Sequence, residues 1–325
     1  MHTKLPYAPL FTLLLLLLFL CPEKVLADDF QITDEIVTAY YGPGGDITLP
    51  SNAFKVGTTA FLNNTEITSV TIPEGYHTIA EGAFDGCSNL KSVSLPDTLE
   101  TIEKFAFARC ASLESCYLPR HVSSIGNGAF RECHALTFLE IPEITDFIGE
   151  GCFCYCDSLD RFSVVSGNTS FCERDGALFT ADMKMLIQYP CGSRAESYTV
   201  PAGVETICRN AFTHARSLRE VRLADTVREL KSFAFSSCPS LIEIELPASL
   251  EHVSEYAFKN VSNLCRVYIK NNAMEIDPAA FIGAPSVVLY GEHGSEAESY
   301  ARKQNIMFSA AEDNETVYPR TETIF

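Results

Sequence analysis

A small residue followed by Phe recurs along this chain at a fixed interval. The Phe stands at Phe61, Phe84, Phe107, Phe130 and Phe153, each 23 residues after the last, and again at Phe212, Phe235, Phe258 and Phe281 with the same spacing. From Phe153 to Phe212 the step is 59 residues, one interval with an insertion of 36. Such regularity constrains the fold severely. One unit of this size cannot bury its own apolar face, so copies must stack and cover one another.

Other columns keep step with the Phe. Five residues before it stand Ile79, Ile102, Ile125, Ile148, Ile207, Leu230, Val253 and Ile276. Three after it stand Cys87, Cys110, Cys133, Cys156 and Cys238, with Ala215, Val261 and Ala284 where the Cys is missing. Leu90, Leu113, Leu136, Leu159, Leu218, Leu241 and Leu264 hold the sixth position, and apolar pairs such as Val93 with Leu95 and Ile244 with Leu246 the ninth and eleventh. The alternating end of each unit reads as a short half-buried strand, often closed by Pro. The Ile-x-x-x-Ala-Phe-x-x-Cys-x-x-Leu part reads as a short helix or 3₁₀ arc with one buried face. The expected fold is an α/β solenoid, with a parallel sheet on one face and short helical or 3-10 segments on the other.

This pattern closely resembles the 23-residue repeats of the BspA-like, Treponema pallidum-type bacterial leucine-rich repeat family. Three irregular stretches share the resemblance: YYGPGGDITLP at 40–50, DGALFTADMKMLIQYP at 175–190 with YTVPAGVETI at 198–207, and VVLYGEHGSEAESYARKQNIMF at 287–308. It covers residues 30 to 308 and implies a leucine-rich repeat superhelix. It also implies secreted or cell-surface proteins of host-associated microbes that bind other proteins, with the ligand left open. The expected organisation is a signal peptide at 1–27, opening cap strands at 28–54, a first repeat block at 55–164 and an irregular hairpin island at 165–206. A second block at 207–286, a C-terminal cap at 287–311 and a polar tail at 312–325 complete it.

The N-terminal segment carries Lys4 and then a leucine-rich run ending near Leu20, too short to span a bilayer comfortably. Val25-Leu26-Ala27 matches a signal-peptidase site, so cleavage is expected before Asp28. Retention as an anchor and lipidation at Cys21 are the alternatives, the second weakened by the large residues before the Cys. No integral membrane span is expected after cleavage. The tail AAEDNETVYPRTETIF holds no sorting motif, so surface attachment would need another route. The formal charge is -18, with 42 Asp and Glu against 24 Lys and Arg. That excess argues against nucleic acid as a partner, because phosphate binding needs a basic face.

Thirteen Cys in a secreted chain would ordinarily imply a disulfide framework. Here the column that alternates Cys with Ala and Val marks most of them as small buried side chains. Cys172 and Cys191, both in the insertion, are a possible disulfide pair across the hairpin island where the compartment oxidises thiols. CFCYC at 152–156 lacks a second ligand pair spaced for zinc, so no metal and no cofactor are expected. The scattered His77, His121, His134, His214, His252 and His293 join no nucleophile motif, GPGG at 42–45 precedes a strand rather than a helix, and no enzyme is expected. Asn63, Asn168, Asn260 and Asn314 head Asn-x-Ser/Thr triplets that matter only if the source glycosylates secreted chains.

Function then falls to the sheet face. Residues eight and ten after the Phe should point outward. They include Tyr117, Phe138, Glu140, Arg161, Arg222, Glu243 and Tyr268, with Tyr117, Phe138 and Arg161 expected close together. Exposed aromatics beside Arg are what protein interfaces concentrate. The expected function is non-catalytic, adhesin-like binding of a host or microbial protein. A periplasmic or envelope scaffold for the cell's own proteins is the alternative.

Overall fold

The computed structural model describes residues 29–310; the expected signal peptide, Cys21 and the tail from 312 onward lie outside them. Each repeat makes one coil of a solenoid with two parallel ladders. The wider ladder holds the alternating segments. It runs through Gly45–Thr48, Ile67–Thr71, Ser92–Ser94 and Ser115–Cys116, then Phe138–Ile141 with Arg161–Val164. A six-stranded sheet from Ser197–Thr199 to Met307–Ala310 continues that face. The narrower ladder holds the Ile column in two-residue strands such as Thr78–Ile79, Thr101–Ile102 and Ser124–Ile125.

The expected helical or 3₁₀ segments are not there. Among the described residues the one helix is Glu296–Gln304, in the C-terminal cap. The arc around each Phe is instead a run of tight turns, and its backbone explains why. Except at Phe281, where only Gly283 is left-handed, the residues two before and two after the Phe are left-handed: Gly82 and Gly86 around Phe84, Phe105 and Arg109 around Phe107, Tyr256 and Asn260 around Phe258. A left-handed residue every fourth position forbids a continuous helix. It also splits the amides into two sets. Ala83, Asp85 and Cys87 donate back three residues, as in a 3₁₀ turn, while Gly82, Phe84 and Gly86 donate to Lys104, Ala106 and Ala108 of the next coil at 2.8–3.0 Å. The arc is therefore hydrogen-bonded from coil to coil as the ladders are, and its buried amides are satisfied.

Inside, the Phe rings stack. Phe61, Phe84, Phe107, Phe130 and Phe153 lie 4.8–6.0 Å apart between centroids, with interplanar angles of 3–18°. Phe212, Phe235, Phe258 and Phe281 repeat this at 4.7–5.4 Å. Each end is closed by other aromatics. The antiparallel hairpin Phe30–Thr33 with Ile36–Tyr40 sets Tyr40 on Phe61 at 5.5 Å, and Tyr300 of the terminal helix covers Phe281 at 6.1 Å. The Cys column does more than fill space: Cys87, Cys110, Cys133, Cys156 and Cys238 each donate Sγ–H to the Phe carbonyl of the preceding coil, at 3.0–3.2 Å.

The insertion interrupts the stack. Phe153 turns edge-on to Phe162 at 5.1 Å, and Tyr189 restarts the column on Phe212 at 5.2 Å. Between them run the strands Phe171–Arg174, Ala177–Thr180 and Met185–Gln188, antiparallel to one another. The middle strand is buried on both sides. Leu178 packs with the first core, Ala177 and Phe179 with the second. Past Tyr189 the chain omits the arc and crosses directly to Ser197–Thr199, so the arcs on either side meet: a Cβ on Gly151 would stand 3.0 Å from the Asn210 amide, and Tyr155 packs on His214 at 5.0 Å.

The possible bridge between Cys172 and Cys191 is not present in this structure, where both thiols are free. Cys172 sits beside Met183 against the second core, while Cys191 is buried in the first and donates to the Cys156 carbonyl at 3.0 Å. The strand that separates the two cores also separates the two cysteines.

Three outcomes are expected. Phe107→Ala opens a cavity in the middle of the stack and should cost about 3–5 kcal/mol in urea unfolding, against about 1 kcal/mol for Cys110→Ala, which loses one weak hydrogen bond. Burial raises the thiols of Cys87, Cys116, Cys152 and Cys238 from their ordinary 9.0 to about 12. The unfolded thiols ionise first, so the stability these groups contribute is intact below pH 9.0 and falls as the pH rises toward 12. A urea-midpoint series across that range checks the sign. Ellman's reagent at pH 8 should label the half-buried Cys172, Cys208 and Cys265 before the rest.

Candidate functional site

The wider ladder places its side chains as alternation requires. Val93, Cys116, Leu139, Phe162, Val221, Ile244 and Val267 point into the core, and their neighbours on both sides stand on the outer face. Parallel pairing at one repeat per coil then fixes which outer residues are neighbours. Phe138 lies opposite Arg161 and Glu140 opposite Ser163. Arg222 lies opposite Glu245, Glu243 opposite Arg266, and Tyr268 opposite Tyr290.

The face has two characters. In the first block it is sparse and weakly charged, with Ser92, Ser94 and Ser115 before Tyr117, which is 78% exposed. The Arg161 guanidinium lies over the Phe138 ring at 5.2 Å, an arrangement that holds a cation flat and preordered. Beside it Ser163 Oγ donates to Glu140 Oε1 at 3.0 Å. In the second block the face is an ion-pair ladder. Arg222 Nε donates to Glu220 at 2.6 Å, Arg266 Nε donates to Glu243 at 2.8 Å, and Lys270 pairs with Glu245. These carboxylates hold the Arg222 and Arg266 guanidiniums above their ordinary value. Tyr268 and Tyr290 face each other at 5.0 Å.

The structure therefore brings Phe138, Glu140 and Arg161 into one patch. Tyr117 stands one column away from Phe138, in line with Glu140, and no described ring contact joins the two aromatics. Arg222, Glu243 and Tyr268 form a separate group beyond the insertion. Tyr290 was not legible from the repeat, because its coil is one residue short: Tyr268 pairs with a residue 22 positions later rather than 23. The arc side also holds aromatics and cations that the columns did not mark. Arg209 and Lys259 flank the Phe233 ring at 5.2 and 5.7 Å, and Arg131 covers Tyr155 at 5.7 Å. Their only signal in sequence is that Phe233 and Tyr155 stand in the two left-handed columns, where Gly and Asn recur. Among the described residues no group of three or more His, Cys, Asp or Glu could hold a metal ion. No described helix is long and apolar enough to cross a membrane.

The model of the BspA type leucine rich repeat region matches six copies, over residues 45–174 and 189–289. No curated protein matches the chain. Among solved structures it is similar to a leucine-rich repeat protein of Eubacterium ventriosum, with 20% identity over 75% of this chain and 71% of that one and a TM-score of 0.66. It is similar also to the pneumococcal vaccine antigen PcpA, at 21% identity over 85% and 91% with a TM-score of 0.59. A leucine rich cell surface protein of Faecalibacterium prausnitzii gives 21% identity over 90% and 95% with a TM-score of 0.56. These likenesses concern the fold. With the matched repeats covering most of its length, the chain belongs to the BspA-type leucine-rich repeat family.

Proposed function

We propose that the protein is a secreted or cell-surface binding module that engages another protein through its sheet face, without catalysis. The observation that carries this reading is the outward patch of Phe138 under Arg161, beside Glu140 and one coil from the exposed Tyr117. An aromatic ring and a flat, ring-held guanidinium lose little freedom on binding, which is why interface hot spots are rich in them. The second-block ladder of Arg222, Glu243 and Tyr268 with its partners extends the contact and supplies charge register. The descriptions of two similar structures, a vaccine antigen and a cell surface protein, support a place outside the cell. Burial holds the Cys191 thiol of the insertion up at about 12, where little nucleophilic thiolate forms, and this supports the non-catalytic reading for that group.

Antibody labelling of intact and permeabilised cells tests the location: label on intact cells is expected, and label only after permeabilisation would leave the envelope scaffold instead. Panning against extracellular proteins then tests the face. Phe138→Ala and Arg161→Ala should each weaken binding at least tenfold, about 1.4 kcal/mol, with an unchanged circular dichroism spectrum. Unaltered binding by both variants would remove this patch from the interface.

A further inference from the structure

The ion pairs of this surface leave two arginines out. Every other described arginine has a carboxylate oxygen within 3.9 Å. Arg194 and Arg219 have no such partner among the described residues, in a chain with 42 acidic residues against 24 Lys and Arg. They are not scattered. The Arg219 amide donates to the Glu196 carbonyl at 2.7 Å, which sets the segment that bypasses the missing arc against the first full coil of the second block. Both side chains then line one open trough of about 650 Å³, together with Arg216. Arg216 shares its charge with Asp157 at 3.5 Å.

The trough continues along the coils as a column of short polar side chains, Ser217, Ser240 and Asn263, one per repeat and so about 4.8 Å apart. The Ser217 and Ser240 hydroxyls make no hydrogen bond among the described residues. Asn263 donates to the Pro239 carbonyl at 2.6 Å, which orients its amide and leaves its oxygen available. One carboxylate, Glu196, and one aliphatic side chain, Ile242, complete the lining.

We propose that this trough binds a short acidic oligosaccharide. Its carboxylate or sulfate groups meet the forks of Arg194 and Arg219, which match such planar or tetrahedral anions with paired N–H donors. Its hydroxyls exchange hydrogen bonds with the Ser–Ser–Asn column, whose regular spacing suits a chain of repeating polar units. An acidic peptide would need pockets for alternate side chains, and Ile242 alone offers aliphatic surface. The charge of the whole protein sets the size of the ligand: at -18 the molecule repels a long polyanion, so the local excess of arginine captures a short one, and salt weakens it. Neither Phe138 nor Arg161 lines the trough, so variants at Arg194 and Arg219 and variants at Phe138 and Arg161 decide this proposal and the sheet-face reading separately.

Titration calorimetry at low salt tests it, with a heparin-derived hexasaccharide, neutral maltohexaose and hexaglutamate as probes. The sulfated hexasaccharide should bind and maltohexaose should not. Arg194→Ser with Arg219→Ser should weaken it at least tenfold, while Arg120→Ser, an exposed arginine of the first block, leaves it unchanged. Ser217→Ala with Ser240→Ala, which alters no charge, should lower the sugar's affinity as well. Absence of binding by the hexasaccharide, equal binding by the double arginine variant, or hexaglutamate binding as tightly as the sugar would overturn the proposal.

Discussion

Everything in this structure depends on one constraint: each coil must present its backbone amides to the next at the same positions. In the ladders that is ordinary parallel pairing. In the arc it is achieved by left-handed residues on both sides of the Phe, which turn alternate amides along the solenoid axis while the others close local turns. An insertion or deletion inside an arc would break this match, whereas the Phe ring, the Leu and the Ile columns merely fill the space it encloses. The strictness of the 23-residue interval follows from hydrogen bonding more than from hydrophobicity.

The same constraint explains the insertion. A solenoid core exposes its stack wherever coils stop matching, and the end ring must be covered. At the N-terminus the hairpin with Tyr40 covers it, at the C-terminus the helix with Tyr300. In the middle one strand covers two ends at once, with Leu178 turned to one core and Phe179 to the other. Because the bypass omits an arc, side chains of the two blocks meet directly. Asp157 of the first block lies between His134 at 3.1 Å and His214 at 3.4 Å, the latter from the second. Burial lowers the affinity of His214 for a proton, against the pull of Asp157.

The sequence made the solenoid, its interval, its inward columns and the outward set Tyr117, Phe138, Glu140, Arg161, Arg222, Glu243 and Tyr268 legible, because side-chain alternation in a parallel ladder follows from the pleat alone. It misled where two conformations share one pattern. Apolar spacings of five, three and three suit a short helix, and they suit a chain of turns equally. What decides is backbone handedness, and at Phe105, Arg109, Phe233 and Tyr256 the left-handed positions carry residues that do not advertise it. The thiols of the insertion misled for a different reason. Cys172 and Cys191 are close in sequence, and nothing in the sequence says that a strand shared by two cores runs between them. Tyr290 and the arginine trough were hidden by small departures from the 23-residue interval, a coil one residue short and an arc left out.

A repeat of this kind separates what a residue does for the fold from what it can do outside it. Inward columns are nearly fixed, since each contacts its copies above and below. Outward columns are coupled only to their own neighbours, so the sheet face can hold a cation over a ring at Phe138 and Arg161 and an ion-pair ladder from Arg222 to Lys270 within one scaffold. Exposed ion pairs of this sort contribute little stability. Their consequence is order: a carboxylate or ring beside an arginine restricts where its charge points, and at Arg194 and Arg219, which have no carboxylate partner among the described residues, the charge is not shared in this way. In a chain this acidic, a charge so placed stands out against its surroundings through electrostatics alone.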